Sequence, residues 1–222
     1  MIPRAAHDFF SPEEQNQIRA AVARAEGQSS GEVVPVIIDQ ASSYSRTTAR
    51  SAFMLTMALT ALTLWLIPDV GSAHLFWQLP LGSIISFAIF CFIIEQIPAL
   101  KRSLLPQSEI DVAMQTRSFE NFARHGVYKT KARNGILILI CLLEHRVEIL
   151  ADEGINAKID ATEWQKVADE IAAGLKQGTA CASLCSAINH CGELLATHFP
   201  HSAASAAADI NELPDLIIPL RS

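Results

Sequence analysis

"ARNGILILICLLEHRVEILADEGI", residues 132–155, is the stretch on which the fold turns. Its first half is greasy enough to suggest a membrane segment, yet Glu144, Arg146, Glu148 and Asp152 punctuate the rest. Asn134-Gly135 marks a turn. Ile136–Leu143 is a run of eight apolar residues, far short of the ~18 that a transmembrane helix needs and right for a strand buried on both faces. Glu144-His145 makes a tight connection. "RVEIL" then alternates, with Val147 and Ile149 on one face and Arg146, Glu148 and Leu150 on the other. The stretch predicts strand–turn–strand.

Outward from it, the flanking segments read mostly as helices. "SPEEQNQIRAAVARAEG", 11–27, has Ser11 to cap it, Pro12 at the first helical position and Glu14 for a capping box. Ile18, Val22 and Ala25 recur at helical spacing and Gly27 offers a stop. "GEVVPVIID", 31–39, predicts a strand in which Pro35 marks an edge position or a bulge, because proline cannot donate to the ladder. A helix from about Ser108 to Gly126 would carry Ile110, Met114, Phe119 and Phe122 on its apolar face. Another, 160–178, capped by Asp160 or Thr162, carries Trp164, Val167, Ile171 and Leu175. A third occupies 179–199. The tail, 201–222, is rich in small residues and reads as weakly ordered apart from "LIIPL".

Residues 51–97 are different. "SAFMLTMALTALTLWLI", 51–67, and "LFWQLPLGSIISFAIFCFII", 75–94, contain no charge. Each approaches the ~20 residues that cross a hydrocarbon core of ~30 Å. "PDVGSAH" between them predicts a turn, with Trp65, Phe76 and Trp77 placed for an aromatic belt. Arg46 and Arg50 precede the pair, Lys101 and Arg102 follow it, and the turn has neither residue type. The positive-inside rule then puts both flanks in the cytoplasm. Glu95 falls at the inner end of the second span, within reach of the headgroups.

Composition agrees. Of 222 residues, 50% are hydrophobic and only 18% charged, and the excess is local to that block. A formal charge of −6 gives no support for nucleic-acid binding, which needs a basic patch. Five cysteines, an odd number, argue against a disulfide framework. "MIPRAAHDFFSPEEQ" has no apolar region of the signal-peptide kind, so a cytosolic start is expected.

Candidate chemistry is sparse. No G-x-G-x-x-G, Walker loop, nucleophile elbow or H-E-x-x-H occurs. Cys181, Cys185, His190 and Cys191 could suggest a metal, but Cys181, Leu184, Ile188, Cys191 and Leu195 follow a helical core pattern, and His190 points about 100° away from Cys191. His145 reads as a solvated turn residue or a general base. Asp152-Glu153 follows a strand, where ligands of α/β sheets bind; it is either a solvated turn or a set of hard oxygen ligands for Ca²⁺ or Mg²⁺.

"SGEVVPVII", a helix, "RNGILILICLLEHRVEILADEGI", a tryptophan-bearing helix and "HFP…NELPD", in this order, resemble the TPM domain family. The resemblance spans roughly residues 9–47 and 104–215. It implies a small three-layer α/β/α sandwich, often tethered to a membrane, with members linked to accessory roles beside membrane proteins, divalent-metal binding and weak acid-phosphatase activity. A common family form has an acidic residue before the N-G pair, where this chain has Arg133; Glu32, Asp152 and Glu153 remain as acidic ligands.

The expected organisation is a TPM-like domain, 9–47 and 104–200, interrupted by a transmembrane hairpin, 51–97, with a tail at 201–222. The first function expected is a non-enzymatic accessory module on the cytoplasmic face of a bacterial-type inner membrane, its partners the bilayer and a membrane protein. The second is a phosphatase using Ca²⁺ or Mg²⁺ held by Glu32, Asp152 and Glu153, with Arg133 and Asn134 binding phosphate.

Overall fold

A computed structural model describes residues 6–66, 73–130, 133–200 and Leu216. The expected tail, Leu216 apart, and most of the expected turn between the apolar runs lie outside the described residues. The chain forms two units. Of the described residues, 42–66 and 73–109 form one, and 6–41, 110–130, 133–200 and Leu216 form the other.

The second unit is a mixed α/β fold around a three-stranded sheet. Its elements are α1 (Ala6–Phe9), α2 (Pro12–Glu26), β1 (Glu32–Ile38), β2 (Gly135–Cys141), β3 (Arg146–Ala151), α7 (Glu153–Asn156), α8 (Ala161–Gln177) and α9 (Ala180–His198). The strand order is β1-β2-β3. β1 and β2 run parallel with Glu32 opposite Gly135, while β2 and β3 run antiparallel with Ile136 opposite Ala151. A parallel pair needs a long crossover, and everything between 39 and 134 lies inside it. β2 is the central strand and is buried along its whole length.

The register sorts the side chains. Val33 and Ile37, Ile136, Ile138 and Ile140, and Ala151 share a face and join the core with α2, α8 and α9. The opposite face carries Glu32, Val34 and Val36, Leu137 and Leu139, then Glu148 and Leu150. The helix α6 (Gln107–Arg124) is tied to this domain at two points. Arg117 Nε donates to Ala41 O at 3.1 Å, and Arg146 pairs with Asp111 at 2.6 Å.

Local chemistry explains the elements. Ser11 and Glu14 form the reciprocal capping box of α2 behind Pro12. Pro35 sits in unbroken register on the outer strand of the sheet. Glu32 N donates to Asn134 O and Leu142 N to Ile38 O, so even-numbered residues of β1 bond to β2 and the missing donor of Pro35 faces outward. Val33 N, on that outer side, is satisfied by Glu26 Oε1 at 3.1 Å. Asp160 caps α8 and Gly178 ends it in a left-handed conformation, φ 76°. At Gly192, α9 meets α2 so closely that a Cβ would lie 2.8 Å from Ala25 Cα.

Two expectations change. The central strand ends at Cys141, two residues early, because Leu142–His145 turn back while Leu142 and Leu143 bond to the end of β1. On α6 the buried positions are Ile110, Met114, Ser118 and Asn121. Phe119 is exposed. Spacing of i, i+4, i+8 and i+11 decided that face, and apolarity did not.

The first unit contains α3 (Ser45–Leu66), α4 (Ala73–Gln96) and α5 (Pro98–Leu104). Both long helices extend beyond the uncharged runs, α3 taking in Arg46 and Arg50. Each contains a stretch long and apolar enough to cross a membrane, with 11% and 6% of their apolar windows buried. Most of each window is therefore exposed. Threonine and serine hydroxyls inside the pair bond to carbonyls one turn back, and Thr60 meets Ser83 across the helices at 3.2 Å. Near the charged ends, Glu95 accepts from Thr48 at 3.2 Å and from Lys101 at 2.7 Å, and Thr47 donates to Glu109. Lys101 is buried.

Candidate functional site

The row that crosses the sheet at Gly135 brings the sequence candidates toward one corner. Glu32 is its partner on β1, and Asp152 continues the β3 register, donating its N–H to Gly135 O at 2.9 Å. In-register side chains leave on the same face, but these two are separated by two strand spacings, ~9–10 Å. The space between them is taken. A Cβ on Gly135 would lie 2.6 Å from both Cγ1 and the carbonyl oxygen of Val127, in the 3-10 turn Val127–Lys129. Glycine at 135 is required by this close approach.

Asp152 is buried and caps α7, its Oδ1 accepting from Glu153 N at 2.7 Å. Its Oδ2 is buried without a hydrogen bond and lies 3.4 Å from Arg133 Nε. Glu153 is exposed, with Oε2 3.9 Å from Arg133 Nη2. Arg133 has φ 52°, a left-handed conformation that costs an L residue ~1–2 kcal/mol. Asn134 is buried, its Nδ2 donating to both Ser30 O and Ser30 Oγ. That amide therefore spends its donors fastening the entry of β2 to the entry of β1. Among the described residues no three His, Cys, Asp or Glu side chains gather where a metal ion could be held.

The corner lies at the beginning of β1 and β2, because β3 is antiparallel. Ligands of open α/β sheets collect beyond the opposite ends of the parallel strands, so the strand-end argument for Asp152 does not carry over. At that opposite end stands a residue that the sequence marked only as part of a turn. Glu144, in the β2–β3 turn, is buried and its Oε1 accepts from Ala41 N at 2.8 Å. Burial, then the charge of Glu144, pushes the neighbouring Cys141 thiol far up. The only sequence signal was an acid placed directly after an apolar run.

Cys181 and Cys191 are buried in α9 and all five cysteines are free. Burial pushes the thiols of Cys181 and Cys191 up to about 11 and about 12, so they pack as small apolar groups. His145 turns the β2–β3 connection in a left-handed conformation, φ 51°.

The corner thus sits on a mixed α/β fold with a three-stranded sheet, at the Asn134-Gly135 entry to its central strand. Residues 99–193 match the family described as the TPM domain, a likeness that spans less than half of the chain. The matched region begins in α5 and runs to α9, leaving out β1 and the long apolar helices. The NMR structure of the BA42 protein from the psychrophilic bacterium Bizionia argentinensis sp. nov. is similar, with a TM-score of 0.57 and 20% identity over 96% of this chain and 97% of that one. Identity this low speaks to fold alone. No curated protein sequence matches.

Proposed function

We infer that the protein is a membrane-anchored TPM-domain accessory module: a three-layer α/β/α sandwich interrupted by a two-helix transmembrane hairpin, with the domain and both termini on the cytoplasmic face of a bacterial-type inner membrane. The observation that carries this is the exposure of α3 and α4. Sixteen of their large apolar side chains, from Phe53 to Ile93, are exposed. At roughly 1.5 kcal/mol for each one removed from water, these amount to about 24 kcal/mol, more than the whole stability of an ordinary domain, ~5–15 kcal/mol. A bilayer accounts for such a surface. At ~1.5 Å per residue, helices of 22 and 24 residues reach ~33 and ~36 Å, enough for a core of ~30 Å.

The ends of the helices support the orientation. Arg46 and Arg50 are exposed on one face of α3, one and two turns before lipid-ready Phe53, Met54 and Met57. Exposed Trp65 and Trp77 lie at the other end. Pro80 lies inside α4, which membrane helices tolerate better than soluble ones. An accessory role is favoured over hydrolysis because the apolar helices, inserted between β1 and α6, tie the domain to the bilayer at two points of the chain. The partner would be a membrane protein held beside the hairpin.

Alkaline carbonate extraction and a reporter fused after Ser222 test the reading together. The protein should stay with the membrane pellet and the reporter should act as cytoplasmic. Release into the supernatant removes the anchor; a reporter active only in the periplasm reverses the orientation. A pull-down in mild detergent that repeatedly returns the protein alone would end the partner reading.

A further inference from the structure

We propose that Arg133 is a tethered counter-cation for Asp152 and Glu153, so that this TPM domain holds its acidic corner in place without a divalent ion. The family resemblance implies such an ion, and the residues present do not fit one. Val127 is wedged at the row between Glu32 and Asp152, and Glu153 is exposed on α7. A charged guanidinium already stands where a cation would have to approach, 3.4 Å from Asp152 and 3.9 Å from Glu153.

Arg133 is also held, which a loose surface arginine is not. Its backbone N–H donates to Thr130 O at 3.1 Å, and its Nη1 donates to Tyr128 O at 3.3 Å. The next residue is pinned as well, Asn134 N donating to Thr130 Oγ1 at 3.2 Å. These bonds keep the chain in its left-handed turn and aim the side chain at the carboxylates. Asp152 needs that charge. Its Oδ2 is buried and accepts no hydrogen bond, and a buried carboxylate without compensation is strongly disfavoured. A metal ion and a guanidinium meet the same need, but both cannot occupy so small a corner, because like charges repel there.

The measurement is thermal unfolding of the full chain in detergent, in EDTA and then in excess Ca²⁺ or Mg²⁺, with NaCl at matched ionic strength as control. Wild type should melt at the same temperature throughout, and calorimetric titration with Ca²⁺ should give no binding heat. Arg133→Gln should melt lower in EDTA and recover about 5 °C at a hundredfold excess of cation over its Kd. Arg133→Lys should remain cation-independent. Two results overturn the proposal: saturable Ca²⁺ or Mg²⁺ binding by wild type that Asp152→Asn abolishes, or a folded Arg133→Gln indifferent to both cations. If Arg133→Gln does not fold, wild-type titration against Asp152→Asn still decides. None of these outcomes depends on the membrane reading.

Discussion

Replacing Gly135 with alanine tests the packing that shapes the corner. The added methyl would sit 2.6 Å from Val127 Cγ1 and 2.6 Å from Val127 O, well inside ordinary contact, which begins at 3.4 Å. A side chain could rotate away, but the carbonyl belongs to the backbone, so the 3-10 turn itself must move. That movement draws Tyr128 O away from Arg133 and loosens the row of Glu32, Gly135 and Asp152. Overpacking of this kind costs about 2–3 kcal/mol, equivalent to about 6 °C in a domain of this size. Circular dichroism melts in detergent would measure it. Gly178→Ala is the control: nothing lies within 4 Å of its Cβ position, so only its left-handed backbone, φ 76°, adds a cost, ~1 kcal/mol. Adding Val127→Ala removes one of the two clashing atoms, so the double variant should lose less than the sum of the single losses. A Gly135→Ala protein that melts within about 1 °C of wild type would refute the reasoning.

Three further outcomes follow from buried and half-buried groups. Glu144→Ala leaves the Ala41 N–H without its acceptor, a loss of about 1–3 kcal/mol in a denaturant titration, most of which Glu144→Gln should recover through its amide oxygen. Glu148 has its carboxyl raised above the usual 4.5, first by burial and then by Asp111, against the opposing pull of Arg146. A raised folded value means that the group favours folding when protonated and loses that contribution as pH rises through the folded value. Glu148→Gln should therefore be the more stable protein at pH 7, and its advantage should vanish below about pH 4.5. In native protein at pH 8, Cys191, with its thiol at about 12, should resist maleimide that labels it after denaturation; mass spectrometry of the labelled peptides reads this directly.

Much of the fold was legible because its signals are local. The eight-residue apolar run was too short for a span, "RVEIL" alternated with a period of two, and Ser11, Glu14, Asp160 and Gly178 mark helix ends within one turn of the chain. The face of α6 was not legible, since Phe119 looks like core by composition and only the packing leaves it exposed. Neither was the short α7, which exists because Asp152 caps it.

The sequence by itself determined the three strands, the longer helices and the two uncharged apolar runs, because backbone periodicity and transfer free energy are properties of short stretches. Only the tertiary structure decided what the polar residues do. It put Asp152 at the starting end of the parallel pair by making β3 antiparallel, buried Glu144 beneath Ala41, and closed the acidic corner with Arg133. Those assignments depend on strand direction and on contacts between residues far apart in the chain, which no local pattern records.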